Sequence, residues 1–149
     1  MNESLRPMPV ATDATRPFWD AASRHTLVIQ RCSHCGRQQF PPRSFCHYCM
    51  STEVTWQECS GRGTVYTFTV NYRAANAHMA NRTPYVVAVI SLDEGVRMFT
   101  NIVESSPDAV CLGARVEVCW LDTPGLPTLP QFRLLPSGTS PAIRHGEQR

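Results

Sequence analysis

The chain has 149 residues, 42% hydrophobic and 17% charged, with a formal net charge of +2; this is too apolar for a disordered chain and fits one ordinary domain or two very small ones. No apolar run approaches the ~20 residues of a membrane-spanning helix, so the chain is read as non-membrane. All 14 basic residues are arginine, which excludes Schiff-base chemistry through a lysine of this chain and any Walker-type phosphate loop.

The opening stretch MNESLRPMPVATDATRPF has no apolar signal core, so a cytoplasmic location is expected. Residues 1–16 are polar and proline-containing and are expected to be flexible. A short helix is predicted over Thr15–Arg24, with Thr15 or Asp13 as its cap, Pro17 in its first turn, and Phe18, Ala21 and Ala22 on one face. Two turns are not stable alone. The helix must dock through Phe18 and Trp19, either on its own domain or on a partner chain.

A cysteine-rich segment follows, flanked by short strands at Leu27–Gln30 and Val54–Gln57. From Gly61 onward the pattern is strand after strand. Val65–Tyr72 alternates, with Tyr66, Phe68, Val70 and Tyr72 on one face; Pro84–Leu92 is apolar on both faces and reads as buried. Asp93-Glu94-Gly95 turns into Val96–Val103 as a hairpin. Arg115–Trp120 places Val116, Val118 and Trp120 inward, and Gln131–Leu134 is the last strand. Five short strands without a long helix suit a small barrel. The expected class is therefore mainly β, divided into a flexible 1–16, a helix with a cysteine-rich unit over 17–59, a barrel over 60–136 and a flexible tail over 137–149.

The strongest chemical signal is the pair of C-x-x-C knuckles, Cys32–Cys35 and Cys46–Cys49, ten residues apart. Four thiolates in a tetrahedron select zinc, or iron of the rubredoxin kind. Disulfides would need an oxidising compartment, and a redox C-x-x-C would need a βαβ context. One structural zinc on Cys32, Cys35, Cys46 and Cys49 is expected; such a closed site contributes folding energy and no catalysis. Arg31, Arg37 and Arg43 are near enough in sequence to soften its net −2 charge, and His34 and His47 are placed beside the site or in solvent.

Little else carries chemistry. Cys119 sits within a strand, Cys111 reads as part of a buried helical turn, and Cys59 precedes a glycine turn. None shows the base and cationic surroundings of a nucleophile. His25 and His145 have no visible partner, and His78 lies in a long loop over 73–83, a place where ligands are often met. Gly61-Arg62-Gly63 reads as the turn into the first barrel strand.

The succession Pro17-Phe18-Trp19-Asp20, the two knuckles with Phe40-Pro41-Pro42-Arg43 between them, Ser60-Gly61-Arg62-Gly63-Thr64-Val65-Tyr66, Pro84–Ala88 and Asn101-Ile102-Val103 resembles the OB-fold acyl-CoA-associated proteins that carry an N-terminal rubredoxin-like zinc ribbon. The resemblance covers about residues 16–136. It implies an OB-like five-stranded barrel behind a zinc ribbon, and a non-catalytic accessory subunit in a hetero-oligomer. The implied partner is a thiolase-fold enzyme (a thiolase, acyltransferase or aldolase) whose acyl-CoA site the chain helps to form. On that reading Arg62, Arg73 and Arg82 are candidates for CoA phosphates, and Phe18 and Trp19 for the partner interface. A competing reading is a nucleic-acid-binding ribbon and barrel, with Tyr66, Phe68 and Tyr72 stacking bases. Residues 1–59 carry 6 Arg against 5 acids and residues 60–149 carry 8 against 7, with no Lys, which speaks against it.

Overall fold

The computed structural model of the chain describes residues 7–136. The expected flexibility of the tail 137–149, and of 1–6 within the N-terminal stretch, lies outside the described residues. Helix α1 (Arg16–Ser23) is followed by β1 (Val28–Cys32), β2 (Gln38–Gln39) and β3 (Val54–Glu58), then by β4 (Arg62–Asn71), β5 (Tyr85–Leu92), β6 (Arg97–Ile102), β7 (Arg115–Leu121) and β8 (Leu129–Leu134). The first three strands form an antiparallel sheet in the order β2-β1-β3, and the last five close a barrel in the order β4-β5-β6-β8-β7. No helix among the described residues is long and apolar enough to cross a membrane.

Helix α1 sits where its pattern puts it, with Phe18, Ala21 and Ala22 buried on one face. Its capping differs from expectation. Thr15 holds the N-cap position, but its hydroxyl accepts the Thr12 N–H at 2.9 Å instead of capping the helix. The helix docks on its own chain: Phe18 is 4% exposed and meets Trp19 edge-on and Phe40 at a tilt.

In β5 strict alternation buries Val86, Ala88, Ile90 and Leu92, while Tyr85, Val87, Val89 and Ser91 on the other face stay partly exposed, so the strand is buried on one face and not on both as its apolar run suggested. The buried side chains meet Val65, Met98, Ile102, Val116 and Phe132 in one core that also takes in Leu27 and Ile29 of the cysteine-rich unit. Strand β4 departs from the simple alternation read from its sequence. Its register against β5 pairs Val65 with Ile90 but Thr67 with Val89, so Tyr66 is the extra residue of a β-bulge. The bulge lets Val65 face the core while Tyr66 turns out, 51% exposed, under the guanidinium of Arg97 at 3.6 Å.

Gly61 and Gly63 let β4 pass close to both of its neighbours. Gly61 has φ +76°, and a Cβ there would strike the Val118 side chain; one at Gly63 would collide with the Ser91 carbonyl. The β5–β6 hairpin is tied to the rest by two contacts. Asp93 receives both terminal nitrogens of Arg115 at 2.7 and 2.9 Å, and Glu94 accepts the Ser60 N–H at 2.7 Å. Two expectations fail here. Cys111 is exposed, because the helical turn before it is a single 3-10 turn, Pro107–Ala109, and Val110 is the residue that turns inward. His25 has a partner far away in sequence: its Nε2 lies 2.8 Å from Asp122 Oδ2, and its ring stacks on Trp120.

Candidate metal centre and the clefts beside the barrel

The two knuckles are one turn made twice. In the first, the Gly36 N–H bonds the Cys32 carbonyl and the Cys32 N–H bonds the Arg37 carbonyl. In the second, the Met50 N–H bonds the Cys46 carbonyl and the Cys46 N–H bonds the Ser51 carbonyl. Both turns need a left-handed residue at their fifth position. Gly36 supplies it at φ +76°, and Met50 takes it at φ +65° despite its side chain.

The turns bring four sulfurs within 4.8 Å of one another. Cys32 and Cys49 Sγ are 3.6 Å apart, and Cys35 and Cys46 Sγ 3.7 Å. A tetrahedron with zinc–sulfur bonds of about 2.3 Å has edges of about 3.8 Å, so the sulfur positions fit a zinc ion. Charge argues the same way. At Cys46, burial opposes ionisation, but the N–H groups of Cys49 and Tyr48 outweigh it and bring the thiol down to about 7. At Cys49 the Ser51 N–H favours the thiolate, yet burial and the three neighbouring sulfurs push it up to about 12. Thiols this close cannot all ionise without a cation between them. The site takes one structural zinc. His34 and His47 are exposed and stand outside the cluster.

The second knuckle is positioned by two glutamines that nothing in the motif announces. Gln39 is 2% exposed; its Nε2 donates to Gln30 Oε1 at 2.7 Å and to the Phe45 carbonyl at 3.0 Å, and its Oε1 accepts the His47 N–H. Gln30, 3% exposed, both donates to the Arg43 carbonyl and accepts the Arg43 N–H at 2.8 Å. The loop carrying Cys46 is thus hydrogen-bonded onto the sheet carrying Cys32. The signal that could have found these residues is polar side chains at inward positions of β1 and β2.

Two of the remaining thiols, Cys59 and Cys119, are held in the protonated form. Burial, with Glu94 and Glu58 nearby, pushes Cys59 up to about 12, and burial raises Cys119 beside Glu104. The three candidate arginines are all exposed but do not converge. Arg62 opens β4 and Arg73 lies past its far end; ten residues of strand span about 30 Å. Arg82 closes the 3-10 turn Ala77–Arg82 in the loop before β5 and borders a cleft of about 280 Å³ with Tyr85, Asn101 and Glu104. Trp19 is half-buried and borders a separate apolar groove of about 350 Å³.

Residues 19–55 match the family model described as the ChsH2 rubredoxin-like zinc ribbon domain, and residues 56–121 that of the ChsH2 C-terminal OB-fold domain. The probable enoyl-CoA hydratase alpha subunit of Thermomonospora curvata is 39% identical over 132 residues, 88% of this chain but 40% of that protein, so the chain spans two fifths of that relative's length. A DUF35 domain-containing scaffold protein of Methanocaldococcus jannaschii is 39% identical over 63% of this chain and 67% of its own. The benzoylsuccinyl-CoA thiolase subunit BbsA of Thauera aromatica is 34% identical over 59% of this chain and 58% of its own. Among solved structures, a chain of the Ltp2-ChsH2(DUF35) aldolase superposes with a TM-score of 0.76 at 36% identity, covering 85% of this chain and 98% of that one.

Proposed function

Because the chain belongs to the ChsH2-type DUF35 family of zinc-ribbon and OB-fold proteins, we propose that it is a non-catalytic accessory subunit of an acyl-CoA-processing complex. It scaffolds a thiolase-fold enzyme and helps to form that enzyme's acyl-CoA site. One observation carries the reading: the match over 98% of a chain in an aldolase complex. The site chemistry agrees with it. The clustered thiols are committed to a closed metal centre, whose four thiolates leave no position for substrate.

Arg82, beside its cleft, is the arginine best placed to meet a CoA phosphate, with Arg73 toward the same end of the barrel. Arg62, at the opposite end of β4, would need a different contact. Trp19 is the aromatic left to a partner, since Phe18 is used within the chain. The test is to purify the tagged chain with its catalytic subunit and assay both forms. The complex is expected to turn over acyl-CoA and the isolated chain not to. Arg82→Ala in the complex should raise the apparent acyl-CoA constant about tenfold or more, in keeping with ~1.5–3 kcal/mol for a charged hydrogen bond. Turnover by the isolated chain, abolished by one Cys or His change outside the zinc site, would refute the reading.

A further inference from the structure

The apolar groove beside Trp19 runs over the seam between β6 and β8, walled by Phe40, Pro42, Phe99, Leu129 and Pro130. Its chemistry names its occupant. At the head of the β5–β6 hairpin the Leu92 N–H bonds the Val96 carbonyl. Alternation along the antiparallel register then gives Met98, Thr100 and Ile102 their backbone bonds to β5, and turns the N–H and C=O of Arg97 and Phe99 the other way. On that side the ladder to β8 holds the single pair Ile102↔Phe132. The next parallel step would join Thr100 to Pro130 and needs an N–H on residue 130 to reach the Phe99 carbonyl. Proline has none. The backbone ladder therefore stops at Ile102; Thr100 reaches β8 only through its hydroxyl, which donates to the Pro130 carbonyl at 3.2 Å, and the backbone of Phe99 is left on the groove side.

A second, independent feature points into the same space. Gln131 is 9% exposed and borders both the groove and the neighbouring cleft. Among the described residues its carboxamide has no hydrogen-bond partner, and its polar atoms stay open to one at the edge of the groove. The side chain of Phe99, by contrast, is 75% exposed. An open strand edge, an unpartnered amide and apolar walls together fit a ligand that alternates N–H and C=O and carries apolar side chains. That is an extended polypeptide. An acyl chain would satisfy the walls and neither polar feature.

We propose that an extended, apolar segment of the catalytic partner lies in this groove as a strand added to β6, its backbone paired with Phe99 and met by the Gln131 carboxamide. This rests on the accessory-subunit reading. The test is residue-resolved amide hydrogen exchange on the chain purified with its catalytic subunit, compared with the chain alone. The Phe99 and Arg97 amides are expected to slow at least about tenfold in the complex, and the already paired Met98 amide to change less. If both exchange in the complex as they do in the free chain, the groove proposal is overturned and the accessory-subunit reading stands. Slowing that appears only when acyl-CoA is added overturns it too, and assigns the groove to the thioester. A tagged chain that purifies with no catalytic subunit overturns both. Gln131→Leu supplies a second measurement: assembly should weaken about tenfold with zinc content unchanged, and wild-type affinity overturns the role of the carboxamide.

Discussion

The ribbon and the barrel hold their shapes by different means. In the barrel, Val65, Val86, Ile90, Met98, Ile102, Val116 and Phe132 are buried together, and apolar area removed from water supplies the stability. The ribbon has one two-residue strand, and its own fully buried side chains include two thiols and the glutamine Gln39. A unit that small cannot build enough core and needs a staple. The comparison teaches that one chain can carry two kinds of stability, one conditional on an ion and one not.

Removing the zinc tests that division most severely. Chelation, or Cys46→Ser, is expected to unfold the ribbon, because structural zinc binding in small units supplies on the order of 10 kcal/mol, comparable to a whole domain's stability. Circular dichroism with metal analysis checks it. Exchange protection at β5 should persist, though lowered, since Leu27 and Ile29 are shared with the barrel core. The converse is Phe132→Ala, which should cost about 3–5 kcal/mol by opening a cavity, read as a lower melting midpoint at one zinc per chain. Next in size is Gln39→Leu. It takes away the donor to the Phe45 carbonyl, the acceptor of the His47 N–H and one of the two donors to Gln30 Oε1, and should destabilise the ribbon by about 1–3 kcal/mol and speed zinc loss to a chromogenic chelator. The smallest effect has the opposite sign. Met50→Gly relieves a left-handed residue that is 68% exposed, so it should stabilise the ribbon by about 1 kcal/mol and slow the same zinc loss.

The two halves also differ in how much of them could be read from sequence. Ligand spacing is local, so the metal site was legible in Cys32, Cys35, Cys46 and Cys49, and strand alternation made the five barrel strands legible in the same way. What escaped depends on partners distant along the chain. The bulge at Tyr66 is settled by the register against β5, and the His25–Asp122 pair joins residues 97 apart. The Gln30–Gln39 network exists only once β1 and β2 are side by side. Arg62, Arg73 and Arg82 looked like neighbours because they bracket one strand and one loop, but an extended strand separates its ends.

The antiparallel pairing of β1 with β3 brings Val28 opposite Glu58, and the Cys59 N–H bonds the Leu27 carbonyl. The chain thus leaves the ribbon beside the point where it came in. All four cysteines lie between those points, so every contact around the ion closes within one short stretch of polypeptide. The barrel instead waits for β4 to find β7, where Arg62 pairs with Glu117 and Thr64 with Arg115. Such remote closures cost more loop entropy and come later. During synthesis on the ribosome, the metal-holding half has all its parts while the last barrel strand is still unmade, so the ion can be captured before the barrel closes.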